Sequence, residues 1–353
     1  MSVATDRPAA RRSREPGNPP RFLVALASVA LVTGTGFAVW LLPTGTGGWA
    51  KPGPAARPGT ATPPLTTRPA ADQASPLEPA RPSGFVTFVD TIQDPLFNLA
   101  KAARQNNAHW FTLGHLTAGR NDCTPKWGGR QEQGDNPVAN RLGRLRAAGG
   151  DAGLVFGGPT GRELAAACTD PDRLTAAYRQ AVGAFGATYI DFEVRGPADR
   201  EIILRRANAI TALQREATAQ GRPLAVSFTL PVTETGLSPL DQAMLRSTRE
   251  AGVEITAVNL LTPIDHDSTG ETDLRPIASA VRSAHPQIAR SLGEFPAWHR
   301  IALTPVLANP WDLTETDARK LTAFTTRNRL AWLSTRGATP AAEITRLLTT
   351  PSR

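Results

Sequence analysis

The chain of 353 residues is 41% hydrophobic and 20% charged with a net charge of +8, enough for one large domain with appended segments. Five arginines against Asp6 and Glu15 give residues 1–21 a charge of +3, residues 43–84 carry +2, and +3 remains for everything after. A folded part with so little excess charge, both signs interspersed, excludes a nucleic-acid footprint.

Residues 1–21 form a basic arm. Phe22–Leu42 follows as an uncharged, mostly apolar run of 21 residues, and about 20 helical residues cross a bilayer core. The arginine-rich flank keeps the N-terminus in the cytoplasm, so the run reads as a signal anchor with the C-terminal part extracellular. A cleaved signal peptide is the alternative, favoured by Gly34 and Gly36 and opposed by a run longer than the usual ~7–15 residues; the protein would then be secreted. Residues 43–84 are rich in Pro, Ala and Thr, a composition that cannot bury enough apolar surface to order itself. They read as a disordered spacer between membrane and domain. Cys123 and Cys168 are the two cysteines. Beyond the membrane an even pair reads as a disulfide, with two buried thiols as the alternative.

Residues 85–353 alternate β-rich and helical stretches. Strands are expected at Phe85–Asp90, Trp110–Leu116, Gly153–Phe156, Thr188–Val194, Leu224–Leu230, Ile255–Leu261, Ile301–Val306 and Leu330–Ser334. Helices are expected at Pro95–Arg104, Val138–Ala147, Arg173–Phe185, Ala198–Ala219, Pro239–Ala251, Asp273–Ala284, Thr314–Arg327 and Pro340–Leu348. Ala198–Ala219 shows the clearest helical spacing, with Ile203, Ala207, Ile210, Leu213 and Ala217 on one face. Eight such units match a (β/α)₈ (TIM) barrel, an α/β fold. An open doubly wound sheet is the rival, but no glycine-rich dinucleotide loop follows the first strand.

Barrels of this kind place ligands at the C-terminal ends of their strands. The fourth strand is the informative one. With period two, Ile190, Phe192 and Val194 face the helices, whereas Asp191, Glu193 and Arg195 face the axis and mouth. Charges on that inner face are costly unless paired or used.

The stretch Ile190-Asp-Phe-Glu-Val-Arg-Gly196 resembles the fourth-strand signature Asp-x-x-Asp-x-Asp-x-Glu of glycoside hydrolase family 18, often seen as Ile-Asp-Phe-Asp-Ile-Glu-Gly. The resemblance extends over Cys123-Thr-Pro-Lys-Trp-Gly-Gly129, Val155-Phe-Gly-Gly-Pro-Thr-Gly161, Glu163-Leu-Ala-Ala-Ala-Cys168 and Leu224-Ala-Val-Ser-Phe-Thr-Leu-Pro231. These runs are similar to secreted actinobacterial chitinase-like proteins, in which both cysteines also occur. The family implies substrate-assisted chemistry, in which the sugar's own acetamido oxygen attacks the anomeric carbon. The last glutamate of its signature protonates the leaving oxygen, and the preceding aspartate orients the acetamido group. Here the acid's place falls on Arg195 and the aspartate's on Glu193, while only Asp191 matches. A guanidinium stays protonated and cannot donate at neutral pH. The extra methylene of Glu193 brings its carboxylate toward Arg195, where a salt bridge is expected.

Other departures point the same way. Val155 stands where the family often carries serine. Val258-Asn259-Leu260-Leu261 lacks the Met-Asp-Tyr expected after Val-Asn. Arg336 aligns with the tryptophan that floors the subsite, and Trp332 is displaced from that place. Asn259, Asp265 and Trp311 are added as ligand-binding candidates at the mouth, Trp311 either stacking on a sugar or capping the rim. Asp265-His266-Asp267 reads as polar loop residues rather than a metal site, and Trp110 and Trp127 as packing residues. Ser227 lacks histidine and acid partners for a hydrolase triad, and Gly157-Gly158 reads as a tight turn. No metal and no cofactor are expected. The resulting expectation is a membrane-anchored, extracellular chitinase-like pseudoenzyme that binds an N-acetylglucosamine-containing glycan or another cell-wall component. The rivals are an active glycosidase with Glu193 or Asp265 as relocated acid, and a structural envelope protein whose mouth is irrelevant.

Overall fold

The computed structural model describes residues 81–120, 123–196, 199–266, 272–295 and 297–350. The basic arm, the apolar run and most of the Pro-rich segment fall outside them, as does Asp267. Among the described residues no helix is long and apolar enough to cross a membrane.

Eight parallel strands close a barrel. They are β1 (Gly84–Asp90), β2 (Trp110–Ala118), β3 (Asp151–Gly157), β4 (Tyr189–Glu193), β5 (Ala225–Pro231), β6 (Ala257–Pro263), β7 (Ile301–Leu307) and β8 (Trp332–Ser334). Each pairs with its neighbour in sequence, and β8 pairs with β1 to close the ring. The main outer helices are α1 (Leu99–Asn106), α2 (Leu142–Ala147), α3 (Pro171–Phe185), α4 (Arg200–Ala219), α5 (Pro239–Glu250), α6 (Arg275–Leu292), α7 (Glu315–Asn328) and α8 (Ala342–Thr349). All eight expected strands and helices are present, so the barrel rather than the open sheet is the fold.

Several helix starts are written in their caps. The side chains of Asn98, Asp170, Asp199 and Ser238 accept from backbone N–H groups of the first turn. Thr314 and Asp317 form a reciprocal capping box at α7. The expected start of α1 at Pro95 is too early, because its capping residue is Asn98. The larger correction is α6, which continues to Leu292, eight residues past the expected Ala284, through Pro286. Proline removes one helical N–H and ordinarily reads as a stop. Here its ring is exposed, and the apolar stripe continues beyond it with buried Ile288, Ala289 and Leu292.

Side chains divide by strand phase. Ile190 and Phe192 pack outward into the layer between barrel and helices. Tyr189 points inward with Val86, Ala225, Ala257, Ala302 and Trp332, which fill the N-terminal floor of the barrel. Trp332 therefore sits at the opposite end from a sugar subsite, edge-on to Tyr189 with ring centroids 5.9 Å apart. Trp110 is packed against the same cluster. Trp127 is wholly buried in the outer core, as expected of a packing residue.

Cys123 and Cys168 are joined as a disulfide, with their Cα atoms 4.7 Å apart. It ties the loop after β2 to the end of the short helix Leu164–Ala167.

Candidate active site

Above the apolar floor the barrel interior becomes polar, in two tiers. The lower tier centres on Asp191, which is 2% exposed. Ser227 donates to one carboxylate oxygen, and Thr229 donates to the other at 2.7 Å. Because the Ser227 proton is committed, the Tyr189 hydroxyl, 2.7 Å away, is the donor to Ser227 Oγ. Asn259 donates to Thr229 Oγ1 at 3.0 Å and accepts from Thr304 at 2.8 Å. Five side chains from β4, β5, β6 and β7 thus aim their donors, directly or in relay, at one carboxylate. Burial nevertheless pushes the Asp191 carboxyl up to about 6, against the lowering effect of Ser227, Thr229 and Arg336.

The upper tier centres on Glu193. Arg195 folds back from beyond the strand end and donates to Glu193 Oε1 through Nε at 3.0 Å and Nη2 at 2.8 Å. His115 Nε2 lies 3.0 Å from Oε2. Arg336, 9% exposed, brings Nε to 3.6 Å from the same oxygen. That is an ion contact rather than a hydrogen bond. The Arg336 guanidinium lies over the Phe88 ring, 3.3 Å from its centroid, a cation–π contact that supports a buried charge. Burial lowers the Arg336 pKa, an effect opposed by Glu193 and Asp191. For Glu193 burial acts to raise the pKa, but His115, Arg336 and Arg195 together draw it down to about 2. Glu193 is an ionised carboxylate throughout the physiological range.

His115 is held from its other side as well. Its Nδ1 lies 4.0 Å from Asp90, whose carboxylate is itself fixed by the backbone N–H groups of Ile92 and Gln93. Gly158, at φ +110°, leaves the space this ring needs: a Cβ there would stand 2.4 Å from the imidazole. A Cβ on Gly157 would stand 2.4 Å from the Glu193 carbonyl oxygen. The Gly157-Gly158 turn exists to let β4 and His115 approach.

The structure thus brings together Asp191, Glu193, Arg195 and Arg336, and links Asn259 to them through Thr229. It does not bring Asp265 or Trp311 into this cluster. Asp265 is exposed in a short hairpin, Asp265–His266 against Thr272–Asp273. It lines a separate cavity of about 330 Å³ with Val232–Thr235, Thr262 and Ile277. Trp311 is 74% exposed on the loop after β7. That loop is held by buried Asp312, which accepts from the backbone N–H groups of Ala308 and Asn309 at 2.7 and 2.9 Å.

Known proteins supply the frame for this geometry. No family model matches the chain. It is 32% identical over 181 residues to a probable bifunctional chitinase/lysozyme of Escherichia coli, an alignment covering 50% of this chain and 20% of that protein. It is 29% identical over 180 residues to endochitinase 11 of Metarhizium anisopliae, covering 50% and 34%. The chain spans about a third or less of these curated relatives. In fold it matches the catalytic domain of a hyperthermophilic chitinase from Pyrococcus furiosus, with a TM-score of 0.65 at 21% identity over 76% of this chain and 95% of that one. It also matches a family 18 chitinase of Cycas revoluta in complex with (GlcNAc)3, with a TM-score of 0.53 at 13% identity, covering 76% and 98%. Half of the chain is similar in sequence to chitinases, and its barrel has the fold of the family 18 chitinases.

Within this chitinase-like barrel, His115, Asp90 and Phe88 are site residues that sequence reasoning missed. In β2, Phe111 and Leu113 face the helix layer, so strict alternation sends His115 outward too. An irregularity between Leu113 and Leu116 turns it inward instead. Ser227, considered only as a nucleophile, serves as a donor to Asp191. Its place opposite Asp191 in the pairing of β4 with β5 was the available signal. Val155 stands opposite Asp191 on the other side, in β3, and adds no polar group there.

Proposed function

We propose that this chitinase-like protein binds an N-acetylglucosamine-containing glycan at the barrel mouth without hydrolysing it, from an extracellular position held by the apolar run 22–42. The observation that carries this reading is the setting of Glu193, paired with Arg195 and Arg336 and in hydrogen-bond contact with His115. A carboxylate with a pKa of about 2 holds no proton to give a leaving group. Arg195, in the place of the family's acid, is a permanent cation where positive charge develops during glycoside cleavage. A general acid is typically worth ~10²–10⁴ in rate, so the missing donor alone makes turnover slow. Binding needs neither donor nor nucleophile, and both curated relatives are chitinases by name.

Two measurements on the full chain test this. Calorimetric titration with (GlcNAc)4 is expected to show binding, and incubation with a reporter glycoside of the same sugar is expected to show no release above blank. Release abolished by Glu193→Gln would instead establish an active enzyme with a relocated acid. Absence of binding would remove the glycan reading and leave a structural role.

A further inference from the structure

Arg195 is held by half of its guanidinium. Its Nε and Nη2 both donate to Glu193 Oε1, while Glu193 Oε2 is occupied by His115 and approached by Arg336. Among the described residues no protein acceptor meets Nη1. The Arg195 side chain is 44% exposed, although the carboxylate that anchors it is 1% exposed. A cation is therefore fixed at the C-terminal mouth with its bonded edge facing a buried acid and its other edge open.

The surrounding negative charges are engaged elsewhere. Asp191 lies buried beneath, enclosed by Ser227 and Thr229. Asp90 accepts two backbone N–H groups and faces His115. Arg195 thus presents the outward-facing charge of this cluster. An unmodified chito-oligosaccharide has only hydroxyl and acetamido groups to offer it, neither of them charged. A guanidinium edge pairs far better with a carboxylate, through short, charge-assisted hydrogen bonds.

We infer that the mouth selects an N-acetylhexosamine glycan bearing a carboxylate, with the acid group meeting the open edge of Arg195. This rests on the glycan reading given above and narrows it to an acidic sugar. Three probes of equal length separate the two ideas: (GlcNAc)4, an alternating N-acetylglucosamine–N-acetylmuramic acid tetrasaccharide, and that tetrasaccharide with its carboxylates capped as methyl amides. By calorimetry at low salt the acid form should bind the full chain about tenfold more tightly than its amide, as expected for one charge-assisted contact at a half-exposed site. Arg195→Gln should bring the ratio of acid to amide affinity close to one, and Arg195→Lys should retain part of the preference.

Equal affinity for acid and amide overturns the acidic-sugar inference while leaving the glycan reading in place. So does a preference that survives Arg195→Gln. Failure of all three probes to bind overturns both. Should Arg195→Gln not fold, the wild-type ratio and the Arg195→Lys variant still decide.

Discussion

Glu193 is met by two arginines, Arg195 and Arg336, and by the His115 ring, so a change at any one of them is felt at the others. Replacing Arg195 by glutamate gives the residue type of the family 18 signature that this strand resembles but places a second carboxylate beside Glu193. It does not remove Arg336 from the pocket or supply the tyrosine missing after Asn259. Arg195→Glu is therefore expected to remain inactive on (GlcNAc)4 reporters, and turnover in that variant would show that Arg195 alone silences the site. Glu193→Gln leaves the buried Arg336 charge without its partner, which typically costs about 3–5 kcal/mol; urea unfolding at pH 7 measures it. The pH dependence carries a definite sign. Glu193, lowered to about 2, contributes stability that is fully present above about pH 4.5 and lost as pH falls toward 2. Asp191, raised to about 6, acts oppositely and withdraws stability as pH rises from about 4 to 6. Unfolding free energy followed from pH 2 to 7 should rise at the acid end, and Glu193→Gln should remove that rise.

At the scale of elements, the segment before α3 is pinned three times. The disulfide holds Cys168 to Cys123, Arg206 Nη1 reaches Glu163 at 2.5 Å, and Arg205 donates to the Ala165 carbonyl at 2.7 Å. Closing a loop of this length removes about 4 kcal/mol of unfolded-chain entropy. The Cys123→Ser/Cys168→Ser double variant should lose about 2–5 kcal/mol in urea unfolding. An unchanged midpoint would mean the other two contacts suffice. The strands and helices were legible because their periods are strong and their caps are written locally. The end expected for α6 at Ala284 fell short because the stop signal of Pro286 is outweighed by the apolar stripe beyond it. His115 was hidden for a different reason: a register irregularity in β2 reverses its face, and no property of Leu113-Gly-His-Leu116 announces that. Residues in regular phase, Asp191 and Glu193 above all, were readable. Partners that depend on how eight strands bring distant loops together, such as Arg336 over Phe88, were assigned a place without their contacts.

For the whole molecule, barrel closure sets Glu193 from β4 against Arg336 from beyond β8 and His115 from β2, and only the closed ring makes that meeting. The proposed anchor at 22–42 would hold this mouth outside the cell on a spacer of composition suited to extension. The full chain should then sediment with membranes and resist a high-salt wash, whereas a variant lacking residues 1–42 should be soluble. Salt-sensitive association would indicate attachment through the basic arm instead.

The protonation state of Glu193 decides between a binding barrel and a working hydrolase. It can be followed directly by the ¹³C shift of its side-chain carboxyl as pH is varied in the full-length protein. An ionised carboxylate from neutral pH down to about 3, with its midpoint near 2, is the predicted result. A midpoint between about 5 and 7, where a general acid would have to titrate, would contradict it.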